Sequence, residues 1–95
     1  MAVVVSMGAK LLAESLNARH AGYGVFKVMP GRRFDKIVVT PNQSSQTFVH
    51  AFVECETGHV FKPNGWKSPA NGVRFTSWQD AAKVSDPYGG YLYAR

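Results

Sequence analysis

Apolar positions first recur three and four residues apart, then every second residue, and then lose any regular period. Leu12 and Leu16 stand one helical turn apart, and Leu11, Ala9 and Ala13 widen the same stripe. Arg19 and His20 follow, where cations suit the negative end of a helix, and Gly22 is a natural stop. With Ser6 as N-cap, the pattern predicts a helix over about 7–20. Tyr23–Met29 and Phe34–Thr40 are rich in Val, Ile and Phe and read as strands. Pro30 and Gly31 between them fit the two central positions of a type II turn, which requires a positive φ at Gly31. The polar loop 41–45 leads into a third strand, Gln46–Glu54. A tight turn at Glu56-Thr57-Gly58 returns the chain along His59–Lys62. Connections this short predict an antiparallel meander of three to four strands.

The third strand sends Thr47, Val49, Ala51, Val53 and Cys55 one way and Phe48, His50, Phe52 and Glu54 the other. Neither set is plainly polar, so both sheet faces are expected to be at least partly covered. The helix would cover one face, and the C-terminal third or a partner chain the other. The expected core is Val25, Ile37, Val39, Val49, Val53 and Phe61 against Leu12 and Leu16. Beyond Lys62 the chain is dense in turns. Ser77 then caps a short helix ending near Val84, which Asp86-Pro87 breaks. Gly89–Tyr93 is expected to form an edge strand or an aromatic tail packed on the core. The fold class is thus α+β, one domain over 7–95, with residues 1–6 as an appendage or a short extra strand at Val3–Val5.

Composition narrows the possibilities. Ninety-five residues allow one domain, and 13% aromatic with 18% charged residues is unlike a disordered tail. No apolar run approaches the roughly 18–20 residues of a membrane span. The single cysteine excludes an internal disulfide framework and fits a reducing compartment. The net charge of +5 is concentrated in residues 1–50, which hold six Lys/Arg and two acids. A positive balance favours weak attraction to polyanions.

Candidate chemistry is sparse. Cys55 and His59 would face each other across a hairpin, with His50 on the opposite face, which leaves too few ligands for zinc. Glu54 and Glu56 beside Cys55 should raise the thiol pKa, and no nucleophile elbow, deaminase motif or phosphate-cradling glycine loop is present. Asp35, Asp80 and Asp86 are explained by turns and caps, so no catalytic residue, metal ligand or cofactor site is assigned. The remaining signal is basic and aromatic. Arg32, Arg33 and Lys36 cluster around one turn with Lys27 on the strand before it, and Phe48, Phe52 and Lys62 would share one sheet face. Sheet-borne aromatics flanked by cations stack bases and track phosphates in many single-strand binders. The plainer alternative is that both phenylalanines are core and the arginines form a solvated hairpin tip. Trp66 and Lys67, with Tyr88, Tyr91 and Tyr93, admit a protein interface or packing across the second sheet face.

Residues 52–70 combine an aromatic-Val strand, the Thr57-Gly58 turn, Val60-Phe61-Lys62, and then Trp66-Lys67-Ser68-Pro69-Ala70. This stretch resembles a segment of small tailed-phage proteins without assigned activity, and Gly89-Gly90-Tyr91-Leu92-Tyr93 is similar to the ending of some of them. The resemblance covers residues 20–95 and implies a phage origin and a setting in the host cytoplasm, and it carries no catalytic role over to any residue. The resulting expectation is a small non-catalytic binding protein that takes nucleic acid or another polyanion at a basic hairpin tip. The alternatives are a protein–protein module that inhibits a host protein, a self-assembling component, and a binder of a small anionic nucleotide.

Overall fold

The computed structural model describes residues 7–87 and 89–92. The expectations for residues 1–6, Tyr88 and Tyr93 lie outside that range. Among the described residues the order is helix α1 (Met7–Arg19), strands β1 (Gly24–Met29), β2 (Phe34–Pro41), β3 (Phe48–Glu54) and β4 (Val60–Phe61), helix α2 (Trp78–Val84), and a 3-10 turn at Gly90–Leu92. The four strands form one sheet in the order β1-β2-β3-β4, each pair antiparallel. This is the α+β meander that the periodicities predict. No helix among the described residues is long and apolar enough to cross a membrane.

α1 buries Ala9, Leu12, Ala13 and Leu16, the stripe its spacing predicts, against β1 and α2. Asn17 extends that face with a different contact. Its side-chain amide donates to the Phe26 carbonyl oxygen and accepts from the Phe26 N–H, each at 2.8 Å, on the outermost strand. α2 begins as expected, with the Asp80 N–H donating to Ser77 Oγ at 3.2 Å. The tail forms no edge strand over 89–92. Tyr91 and Leu92 instead drop into the core, and Asp86 caps the turn by accepting from the Gly90 and Tyr91 N–H groups. Leu12, Leu16, Ile37, Val53, Val60 and Leu92 are fully buried, each contributing roughly 1.5–3 kcal/mol relative to exposure.

β3 departs from simple alternation. Ile37 pairs with Ala51 but Val38 pairs with Val49, so His50 is an extra residue in a bulge. His50 therefore turns inward beside Ala51, its ring edge-on to Phe26 at 5.1 Å and its Nε2 sharing a 2.8 Å hydrogen bond with Tyr91 Oη. Val49, expected in the core, instead falls opposite Val38, which lies outside the main core cluster, and is only half-buried. Two further core expectations are corrected. Val25 is 49% exposed, because it is the bulkier Phe26, opposite Val39, that fills the space under α1. Val60, opposite Val53, takes the inward place at β4, and Phe61 pairs with Phe52 on the other face.

The two faces are covered unequally. α1, α2 and the 3-10 turn pack with Phe26, Ile37, Val39, Ala51, Val53 and Val60 in one core cluster. Over the other face the cross-strand row Met29–Lys36–Phe52–Phe61 meets Phe34, whose ring lies edge-on to Phe52 and Phe61. What reaches this face from the C-terminal third is the loop 63–69, closed by the Pro63–Pro69 bridge.

Candidate functional site

The β1–β2 turn is braced from inside. Asp35 is fully buried, and its Oδ1 accepts from the Gly31 N–H at 3.1 Å. Gly31 does not adopt the positive φ of the expected type II turn. A Cβ there would lie 2.4 Å from the Phe34 carbonyl oxygen, so close approach of backbone is what requires glycine. Cys55 holds the turn from the other hairpin, its N–H donating to the Arg33 carbonyl at 2.8 Å and its Sγ lying 3.8 Å from the Gly31 carbonyl.

This placement displaces the expected Cys55–His59 pair. The Glu54 N–H donates to the His59 carbonyl at 2.9 Å, so His59 stands opposite Glu54 rather than Cys55. Burial and then the nearby Asp35 carboxylate push the Cys55 thiol pKa up, with Glu54 a smaller contributor. Among the described residues no three His, Cys, Asp or Glu side chains gather to hold a metal ion.

With the turn fixed, Arg32, Arg33 and Lys36 line a concavity of about 290 Å³, together with Lys67 and Pro69 from the loop opposite. Met29, Pro30, Gly31, Phe34 and Phe52 complete its lining. Five of the nine residues singled out from sequence (Arg32, Arg33, Lys36, Phe52 and Lys67) therefore meet in one groove. Phe52 is only 2% exposed and serves as its floor. Arg33 Nε also pairs with Glu54 Oε2 at 3.3 Å, while its guanidinium carbon lies 5.2 Å from the centre of the Phe34 ring. Glu54 is held below the ordinary carboxylate range, first by the Thr57 hydroxyl and then by Arg33.

Trp66 stands at the groove's margin, with Lys36 Nζ 4.1 Å from its ring centre. Its ring also lines a neighbouring notch of about 260 Å³ with Phe48, Thr47, Val49, Pro63 and Gly65. Lys27 and Lys62 are not among the residues lining the groove. Lys27 is opposite Val38 and lines a separate hollow beside Thr40 and Asn42, and Lys62 stands just past β4 with its carbonyl bound to the Ala70 N–H. Sequence reasoning missed Phe34, Met29 and Pro69 as walls. For Phe34 a signal existed, since it lies two residues before Lys36 on one strand and must share its face.

Neither a curated protein nor a solved structure matches the chain significantly. One family match is found, and it takes in α1 as well as the residues of the phage-like resemblance. From residue 6 to residue 94 the sequence fits a single family description, so the chain belongs to DUF7717, a family of unknown function.

Proposed function

We propose that this chain is a small non-catalytic binding protein whose groove between the β1–β2 turn and the loop 63–69 takes a polyanion, nucleic acid first among them. The observation that carries this reading is the convergence of Arg32, Arg33, Lys36 and Lys67, from two distant segments, on one concavity with aromatic walls. Arg33 is partly neutralised by Glu54, so Arg32, Lys36 and Lys67 are the principal phosphate partners. A phage origin and action in a host cytoplasm rest on the resemblance at residues 52–70 and 89–93.

The test compares two charge reversals of equal size. Arg32→Glu with Lys67→Glu alters the groove, whereas Lys10→Glu with Lys83→Glu alters exposed positions on the helices. Each lost phosphate contact should lower the log–log salt slope by about 0.9 on duplex DNA and about 0.7 on a single strand. The groove variant should lose retention on heparin and on immobilised oligonucleotide, and the helix variant should keep most of it. Equal weakening by both would mean bulk charge and remove the site. No retention of the unaltered chain would favour a protein partner instead.

A further inference from the structure

We propose that the notch between Phe48 and Trp66 is a base-stacking subsite, which makes the groove's ligand single-stranded nucleic acid rather than a duplex or a base-free polyanion. This deepens the groove reading and rests on it. Large aromatic side chains are normally buried, yet Phe48 is 48% exposed and Trp66 46% exposed, and both line one open notch. Phe48 lies at the start of β3, beyond the two residues that β4 pairs, so the strand pairing of β4 does not reach it.

Trp66 is presented by a closed loop. The Asn64 N–H donates to the Ser68 carbonyl and the Ala70 N–H to the Lys62 carbonyl, each at 2.9 Å, and Gly65 provides the positive φ at the tip. Lys36 lies over the indole at 4.1 Å and also lines the groove. The indole is therefore positioned before any ligand arrives, which lowers the ordering cost of binding.

The division of chemistry follows. The notch is lined by Thr47, Phe48, Val49, Pro63, Gly65 and Trp66, none of them charged, whereas four cations line the adjoining groove. A phosphate gains nothing from the notch, and the groove's cations do not hold a base. A single strand can use both at once, with its backbone along the cations and an unstacked base against the aromatic rings. A duplex keeps its bases inside the stack, and polyphosphate has none, so either would occupy the groove alone.

The experiment measures affinity for three probes: a short oligothymidylate, a duplex of similar length, and inorganic polyphosphate. Phe48→Ala and Trp66→Ala should each weaken oligothymidylate binding by about ten-fold or more. Phe48→Ala should leave polyphosphate and duplex binding within about two-fold, because Phe48 does not line the groove and no cation is removed or released. Trp66→Phe, which keeps an aromatic ring, should recover much of the loss, and circular dichroism checks that each variant is folded. Equal weakening of all three probes by Phe48→Ala would overturn the subsite, since the ring would then only support the groove. Unchanged oligothymidylate binding in both alanine variants would overturn it while leaving the groove intact. Failure of the unaltered chain to bind any probe would overturn the groove reading itself, and this inference with it.

Discussion

Gly31, which lines the groove, and Gly58, in the β3–β4 turn beside Gly8 of α1, need glycine for different reasons. Gly58 has φ +77° with open space around a would-be Cβ, so its constraint is torsional. Gly31 has an ordinary φ and a carbonyl oxygen 2.4 Å from where a Cβ would sit, so its constraint is contact. Gly58→Ala should cost about 1 kcal/mol and leave the groove's affinity unchanged. Gly31→Ala must push Phe34 and the arginine turn apart, costing roughly 1–3 kcal/mol and weakening anion binding as well. Denaturant melts together with heparin retention separate the two. A glycine after proline announces a turn in the sequence, but a clash with a carbonyl three residues on depends on how the turn closes over Asp35, which local pattern does not encode.

At the scale of elements, the bulge in β3 decides what is inside. Helix, strands, both hairpins and the Ser77 cap were legible, because each depends on neighbours within a few residues. The facing of β3 was not, because one inserted residue reverses every side chain beyond it. Its result is a buried histidine. Burial first, and His20 second, lower the His50 pKa to about 4 against an opposing pull from Asp86. Between pH 6.5 and 4 the unfolded chain binds a proton at this site that the folded chain refuses, so stability falls as pH drops through that window. Below about 4 both states are protonated and this loss is complete, amounting to about 3 kcal/mol. His50→Gln, which stays neutral and can still bond the Tyr91 hydroxyl, should flatten the slope of unfolding free energy over that range. A slope as steep as in the unaltered chain would assign the acid sensitivity elsewhere.

On the scale of the whole molecule, both helices and the tail gather on one side of the sheet, and a single loop serves the other. Half of the site was legible on that account. The Arg32-Arg33-Lys36 cluster is local in sequence, but its meeting with Lys67 and Trp66 depends on which way the chain turns after β4. The same lopsided arrangement leaves β1 as an outer strand, and the amide of Asn17 takes up both backbone groups of Phe26 midway along it. A strand edge with free N–H and C=O groups is a template on which another chain can grow, and this one is stoppered at its centre. Because Asn17 precedes Phe26 by only nine residues, the stopper can close before the rest of the sheet has assembled. Asn17→Ala should therefore do more than remove about 1–3 kcal/mol of hydrogen bonding. Light scattering should show concentration-dependent growth of larger species during refolding, above that of the unaltered chain. Asn17→Asp should behave similarly, since a carboxylate can accept from the Phe26 N–H but meets its carbonyl oxygen with charge.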